Sequence, residues 1–289
     1  MEDKVLVAGG DGLLGGEFPA GDSLKNERGF QFYKFGHQGL DISDPEAVRR
    51  SIREINPKYV INCAAFRDID RAETERDAAY SVNVVGSQNL AEYCAESGAK
   101  LIHYSTHGVF DGEKRGPYLE SDSPGPLNFY GASKLEGEKK IASILPADQY
   151  LILRISWPYG RKNNNFISAI LSLAKKNGRV RVVSDHFGVP NPASLLASKT
   201  LDLIREASGL FHLSCLGTCS RYQFISHLFE RMKLPFPVVP VPASEFPTLA
   251  KRPKNIAIAT EMSEIGNLAP MPNWEQALDL YLVDNRVLR

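Results

Sequence analysis

A glycine-rich segment directly after the first predicted strand is the feature that most limits the fold. The strand runs into Ala-Gly-Gly-Asp-Gly-Leu-Leu-Gly, in which Gly9, Gly12 and Gly15 recur at every third position. Glycines allow a tight turn and let backbone N–H groups approach a pyrophosphate, and a following helix N-terminus favours an anion. A glycine turn that binds nothing is the alternative, but the position after a strand favours a dinucleotide site that includes Leu13 and Leu14.

The pattern that follows predicts an α/β fold. Short apolar runs bounded by turn residues alternate with helix-period segments, which is typical of a parallel sheet flanked by helices. We expect a Rossmann-type doubly wound parallel sheet over residues 1–157. A smaller C-terminal substrate-binding lobe is expected over 158–289, with some of its segments returning to the first layer. Predicted strands are 4–8, 30–35, 59–62, 100–105, 150–156, 180–184 and 209–213; predicted helices are 45–55, 77–97, 128–144, 166–176, 193–207, 222–232 and 274–283; 234–247, with five prolines, is predicted to be an extended loop.

Two residues interrupt the segment where the first long helix is expected. Pro19 and Gly21 lie inside it, and proline in a helix interior costs about 3 kcal/mol. We therefore predict a short or kinked helix, of which phosphate binding requires only the first turn.

The end of the second strand bears on the choice of cofactor. An NAD site usually has an acidic residue there to bind the ribose hydroxyls. This strand ends Lys34-Phe35-Gly36-His37, with two potentially cationic groups and no acid. NADPH is therefore the expected cofactor and NADH the alternative, although His37 also suits an ordinary surface position. Asp41 and Ile42 are candidates to flank the adenine or to form a plain turn.

A tyrosine and a lysine four residues apart supply the chemistry that a carbonyl reductase requires. Tyr130 and Lys134 fall on one face of a predicted helix. An ammonium beside a phenol favours the phenolate and lowers its pKa, which suits proton exchange with a substrate oxygen. Thr106, at the end of the fourth predicted strand, points into the crevice where such sheets bind ligands. A solvated lysine after a half-buried tyrosine, and a strand-end threonine, are the plain alternatives.

Several stretches together give the chain a strong resemblance to a known family. It resembles the extended short-chain dehydrogenases/reductases, and most closely the dTDP-4-dehydrorhamnose reductases. The resemblance covers almost the whole chain, and the stretch at 126–138 is the most specific to the family. The matching stretches are 5–15, 40–45, 62–66, 70–73, 82–83, 105–112, 126–138, 153–160 and 252–253.

The resemblance implies NADPH-dependent reduction of a 4-keto-6-deoxysugar nucleotide, with dTDP-4-dehydro-L-rhamnose as the first candidate and dTDP-L-rhamnose as its product. Tyr130 would donate the proton to the C4 oxygen, and Thr106 would orient that oxygen. Lys134 would hold the nicotinamide ribose and lower the pKa of the tyrosine.

The resemblance also assigns residues around this centre. Ala64, Ala65 and Asn83 would line the cofactor channel. Trp157 would face or stack on the sugar, and a buried core aromatic is the alternative for it.

Three positions depart from the family pattern and leave the sugar open. Relatives usually read Ser-Thr-Asp-Tyr-Val-Phe-Asp-Gly where this chain has His107 and Gly108, and a small hydroxyl residue where Arg67 stands. Arg67 could grip a carboxylate or phosphate, or point to solvent. We include Arg67, Thr106, His107 and Trp157 in the predicted substrate site. Dehydratases of the superfamily need an acid beside the threonine, and His107 does not replace a carboxylic acid.

Composition limits the remaining function classes. The 34 basic and 34 acidic residues cancel, so no net field favours nucleic acid or a membrane surface. The four cysteines lack zinc-like spacing, and no metal is expected. We expect a cytoplasmic enzyme that acts on a nucleotide sugar, with a homodimer as the candidate assembly. The alternatives are a non-catalytic protein that binds the nucleotide, or a reductase or epimerase of another keto-sugar nucleotide.

Overall fold

Six parallel strands form the central sheet of the protein, whose computed structural model describes residues 2–19, 28–161, 166–261 and 270–285. The strands of the protein are β1 Asp3–Ala8, β2 Phe30–Phe35, β3 Tyr59–Asn62, β4 Lys100–Thr106, β5 Tyr150–Ile155, β6 Pro158–Tyr159, β7 Val180–Val183, β8 Phe187–Gly188, β9 Asn191–Pro192, β10 Gly209–His212, β11 Cys219–Ser220 and β12 Val238–Val241. The order across the central sheet is β10-β5-β4-β3-β1-β2. The predicted Rossmann-type α/β fold is confirmed. β1 lies between β2 and β3, so the chain forms β2 on one side of β1 and then continues with β3 on the other side.

Helices cover both faces of this sheet and build the C-terminal part. They are α1 Pro45–Ile55, α2 Arg71–Thr74, α3 Arg76–Tyr80, α4 Gly86–Ser97, α5 Phe129–Ile144, α6 Phe166–Asn177, α7 Ala193–Leu203, α8 Arg221–Arg231 and α9 Trp274–Asp284. A π-helical turn, Ser81–Val85, joins α3 to α4. Within the described ranges, no helix combines the length and the apolar character needed to cross a membrane.

Alternation along β1 shows why the sheet is covered on both sides. Successive side chains of a strand point to opposite faces. Val5 and Val7 pack into a cluster with α7, whereas Leu6 and Ala8 pack into a second cluster with α1, α4 and α5. All four side chains are fully buried, as expected for a central parallel strand.

The C-terminal half contributes to two layers. β10 pairs with β5 at the sheet edge and α7 packs on the sheet, so these segments belong to the first layer. Helices α6, α8 and α9 enclose a separate apolar cluster centred on Tyr159, Phe224 and Leu278.

The prediction of an extended loop over 234–247 was wrong in part. β12, Val238–Val241, pairs in parallel with β7. Its proline, Pro240, lies on the exposed side of an outer strand, where the missing N–H costs no ladder bond.

The first helix is shorter than a Rossmann unit usually has. A single 3-10 turn, Gly15–Glu17, follows the glycine segment, Phe18 is extended after it, and Pro19 lies outside any helix. This agrees with the predicted effect of the proline. Gly21 and the rest of that predicted helix lie outside the described residues.

Candidate active site

One cleft of about 910 Å³ runs along the carboxyl ends of the strands and under the C-terminal part. Most of the predicted site residues line it. These are Gly9, Gly12, Leu13, Leu14, His37, Asp41, Ile42, Ala64, Ala65, Arg67, Thr106, His107, Tyr130, Lys134 and Trp157. Gly15 and Asn83 are the two predicted residues that the cleft does not reach.

The glycine segment forms the floor of one end of the cleft. Gly9 has a φ of +74°, and a Cβ there would lie 2.6 Å from the backbone nitrogen of Ala64. Only glycine therefore lets the end of β1 lie against the end of β3. Gly15 is buried beneath this turn. The expected helix dipole is largely missing, because the following helical turn has three residues, and Gly12, Leu13 and Leu14 line the cleft before that turn.

The next part of the cleft lies beyond β2. His37 is exposed at its rim, whereas the Lys34 ammonium donates to the carbonyl oxygens of Gly16 and Phe18 at 3.3 and 2.8 Å. Of the two residues, His37 is therefore the one that lines the cleft, and the Lys34 ammonium is directed at the backbone after the glycine segment. Asp41 lines the cleft, and its Oδ1 accepts hydrogen bonds from the backbone and hydroxyl of Ser43.

Asn83 lies behind the cleft instead of lining it. Its Oδ1 accepts from the Phe66 backbone nitrogen at 2.9 Å, and its Nδ2 donates to the Phe66 carbonyl and to Ser133 Oγ. Ser133 belongs to α5, so this buried amide joins the segment after β3 to the helix that carries Tyr130. Asn83 was predicted to line the cofactor channel, but it instead holds the wall of that channel in place.

The start of α5 sets the place of Tyr130. Asn128 caps the helix by accepting a hydrogen bond from the Gly131 nitrogen at 2.9 Å. A Cβ on Gly131 would lie 2.1 Å from the carbonyl oxygen of Gly108. Glycine thus lets α5 begin against the end of β4, which places Tyr130 beside Thr106.

The electrostatics of Tyr130 differ from the prediction. Burial raises the pKa of the phenol, and the hydrogen bond to Thr106 and the positive charge of Arg67 oppose that rise. The cation that acts on the phenol is therefore Arg67. Lys134 instead points its Nζ toward β4, 3.1 Å from His103 Nε2 and 2.8 Å from the Tyr104 carbonyl oxygen.

His107 and Gly108 follow Thr106 in a 3-10 turn, His107–Val109. Burial lowers the pKa of His107 to about 4, and its Nδ1 lies 3.0 Å from the Ile155 carbonyl oxygen. The imidazole is therefore neutral at pH 7. Gly108 has room for a side chain, since a Cβ there would lie 3.4 Å from Thr106 Oγ1 and 3.6 Å from Tyr130 Cε1.

The far end of the cleft holds two arginines that sequence reasoning did not include in the site. Arg221 stacks on Trp157, with 4.6 Å between its Cζ and the ring centroid. Burial and the nearby Arg252 lower the pKa of Arg221 to about 10, and the described chain offers it no carboxylate partner. Arg252 donates to Asp70 Oδ2 at 2.7 Å, and its Nη1 is buried with no partner among the described residues.

Arg221 and Arg252 make this end of the cleft positively charged, which suits the binding of an anion. The Arg252-Pro253 dipeptide was a sequence signal for one of the two arginines. Arg221 had none, because its place depends on the contact with Trp157. Trp157 itself has a φ of +31°, which is rare for a bulky side chain and fixes its ring in the cleft wall.

Comparisons with known proteins identify the relatives of this arrangement. The family model described as RmlD substrate binding domain matches residues 3–287. The dTDP-4-dehydrorhamnose reductase of Escherichia coli strain K12 is 36% identical over 285 residues, which cover 94% of each chain.

Two solved structures extend this comparison. A crystal structure of dTDP-4-dehydrorhamnose reductase from Bacillus anthracis strain Ames, in complex with NADP, superposes with a TM-score of 0.92 at 34% identity, covering 98% of this chain and 100% of that one. A dTDP-4-dehydrorhamnose reductase orthologue from Clostridium acetobutylicum gives a TM-score of 0.91 at 35% identity, with 98% and 99% coverage.

Proposed function

Because the chain belongs to the dTDP-4-dehydrorhamnose reductase family, we propose that it is an oxidoreductase that uses NADPH to reduce dTDP-4-dehydro-L-rhamnose to dTDP-L-rhamnose. The observation that carries this proposal is the placement of Tyr130 beside Thr106 in the cleft that begins at the glycine turn. A proton donor beside a dinucleotide site is what carbonyl reduction requires.

The proposal is tested with purified protein, NADPH and dTDP-4-dehydro-L-rhamnose. We expect the absorbance of the reduced cofactor to fall only when protein and sugar nucleotide are both present. A thermal-shift measurement with NADPH alone provides the control for cofactor binding, since a ligand of the native state raises the melting temperature. Cofactor binding without oxidation of NADPH would remove the rhamnose assignment.

The residues of the cleft fit the cofactor. Glycine at positions 9 and 12 leaves no side chain at those points of the turn, and a pyrophosphate would lie against Gly12, Leu13 and Leu14. His37 at the rim and Ile42 in the wall would flank the adenosine end. The bound cofactor supplies the hydride.

The protein's own residues supply the proton and the orientation. Thr106 hydrogen-bonds the Tyr130 hydroxyl and would hold the ketone oxygen beside it. Tyr130 would give its proton to that oxygen as the alcohol forms. Arg67 favours the resulting phenolate by its charge, which offsets part of the cost of burial. Lys134 would hold the cofactor ribose from α5.

The diphosphate of the nucleotide sugar would bind at the cationic end of the cleft. Arg252 is held by Asp70 and keeps an unused buried N–H group, and Arg221 has its charge uncompensated. Both guanidinium groups can bind phosphate oxygens through paired hydrogen bonds.

Replacing Arg252 with methionine is expected to raise the KM for the sugar nucleotide by about tenfold or more, because a charge-assisted hydrogen bond contributes about 1.5–3 kcal/mol. The KM for NADPH should stay within about twofold, since the two ligands occupy different ends of the cleft. Arg231→Met is the matched control, because Arg231 pairs with Asp279 on the surface of α8. Equal effects of the two changes in steady-state kinetics would contradict the assignment of Arg252.

A second candidate activity is reduction of another keto-sugar nucleotide. Gly108, whose Cβ position meets only ordinary contacts with Thr106 and Tyr130, lacks a side chain that would limit a larger substituent on the sugar. Exposed Arg67 in the same wall would favour an acidic one. Turnover of other 4-keto-sugar nucleotides in the same assay separates the two. A non-catalytic binding role is disfavoured by the Tyr130–Thr106 pair, and the homodimer and the cytoplasmic location stay predictions.

A further inference from the structure

Four hydrogen bonds run in sequence from the Ala64 backbone through Asn62, His103 and Lys134 to the Tyr104 carbonyl oxygen. The Ala64 backbone nitrogen donates to Asn62 Oδ1 at 3.0 Å. Asn62 Nδ2 lies 3.1 Å from His103 Nδ1, and His103 Nε2 lies 3.1 Å from Lys134 Nζ. Lys134 Nζ also lies 2.8 Å from the Tyr104 carbonyl oxygen.

The first bond of this chain fixes the direction of the others. A backbone N–H can only donate, so the Asn62 atom that faces Ala64 must be the oxygen. The amide nitrogen of Asn62 therefore faces His103 and donates to Nδ1. A neutral imidazole carries its hydrogen on one nitrogen only, and Nδ1 is here the acceptor. The hydrogen of His103 must then be on Nε2, directed at Lys134.

An ammonium at Lys134 would set N–H against N–H across 3.1 Å. A neutral amine has no such conflict, because its lone pair accepts from His103 Nε2 while one of its N–H groups donates to the Tyr104 carbonyl oxygen. A second proton on the imidazole would not remove the conflict, because it would enter Nδ1, oppose the Asn62 amide N–H and leave Nε2–H in place. Burial and the neighbouring Lys134 also lower the pKa of His103 well below the ordinary value.

We propose that His103 is a positioning residue which Asn62 holds as the Nε2–H tautomer, and which thereby stabilises Lys134 as a free amine. Only the expected effect on the kinetics rests on the proposed function, because the tautomer of His103 is a property of the protein alone. His103 thus donates a hydrogen bond to the free amine of Lys134 and can accept none from its ammonium.

The other groups around Lys134 leave this assignment intact. Glu138, one turn further along α5, raises the lysine pKa but is itself paired with Arg154. Cys63 after β3 and Tyr104 on β4 are buried, and burial raises the pKa of both groups, so both are neutral at pH 7. Burial of Lys134 is the largest effect and lowers its pKa to about 8.

The tautomer can be read directly by nitrogen NMR of protein labelled with ¹⁵N-histidine. Two other buried histidines provide an internal reference, since His107 and His212 each direct Nδ1 at a carbonyl oxygen and must carry the hydrogen there. We expect His103 alone of these three to be the Nε2–H form at pH 9, above the Lys134 pKa of about 8, with its signals assigned by their loss in His103→Gln. An Nδ1–H or doubly protonated His103 overturns the proposal, whatever the enzyme assay gives.

Replacing Asn62 with aspartate should invert the arrangement with almost no change of shape. A carboxylate accepts from both Ala64 N–H and His103 Nδ1–H, so the histidine hydrogen moves to Nδ1 and Nε2 accepts from a Lys134 ammonium. We expect the NMR pattern of His103 to change accordingly. The decline of kcat/KM at alkaline pH, expected near the lysine pKa of about 8, should shift upward by about one pH unit.

The control is His212→Gln, which removes a buried histidine that lies outside the cleft. It should leave both the His103 tautomer and the alkaline limit of the pH profile unchanged. A structural role for Asn62 would lower activity equally at every pH and leave the Nε2–H form in place, and that result would refute the proposal. If the unmodified protein does not oxidise NADPH with the sugar nucleotide while His103 is in the Nε2–H form, the proposed function is wrong and the tautomer assignment stands.

Discussion

Phenylalanine at position 130 is expected to lower kcat of the NADPH-dependent reduction by about 10²- to 10⁴-fold, the usual contribution of a positioned proton donor. The change removes one oxygen atom and keeps the ring that packs at the start of α5. Stopped-flow or steady-state oxidation of NADPH measures the loss.

The design of this experiment separates chemistry from binding. Affinity for NADPH should remain within about threefold, because the deleted hydroxyl bonds to Thr106 and not to the glycine turn. Tyr80→Phe, a change at a tyrosine that is 44% exposed, is the matched control and should retain full activity. Near-normal turnover by the Tyr130 variant would exclude the phenol as the proton donor.

Methionine in place of Arg154 should lower the free energy of unfolding by about 3–5 kcal/mol, because it strands a buried carboxylate. Arg154 on β5 and Glu138 on α5 are 3% and 4% exposed. Two hydrogen bonds join them, Nε to Oε1 at 3.0 Å and Nη2 to Oε2 at 2.7 Å, and Ser105 Oγ donates to the same carboxylate. Urea denaturation followed by circular dichroism measures the change.

Two comparison variants identify the cause of that loss. Arg71→Met removes an exposed pair with Glu75, whose side chains are 61% and 42% accessible, and should cost less than about 1 kcal/mol. The double change Arg154→Met with Glu138→Met should regain much of the lost stability, since no charge is then left buried. A double variant as unstable as the single one would show that packing, and not the stranded charge, sets the effect.

The parts of the fold that follow from local sequence were predictable. β3 has the predicted bounds because an apolar run between turn residues defines a buried strand. Pro19 limits the first helix through its own backbone. The segment around Val238–Val241 was predicted wrongly, because its strand exists only through pairing with β7.

The candidate site also contains residues that could be predicted from the local sequence and residues that could not. Tyr130 and Thr106 could be placed from strand order and helix spacing. The role of Asn83 could not, since it depends on contacts with Phe66 and Ser133, 17 and 50 residues away. The direction of the Lys134 side chain was equally hidden, because spacing along α5 gives the face of the helix but not the partners that β4 presents.

The pairing of β10 with β5 bears on how the chain emerges from the ribosome. Residues Gly209–His212 cover Leu151–Arg154, so a nascent chain that ends near residue 157 displays an apolar strand edge open to other chains. β10 covers this edge of β5 only after some fifty more residues have been made. We therefore expect the isolated segment 1–157 to aggregate, and a chaperone that shields strand edges to raise the yield of the full-length protein during synthesis.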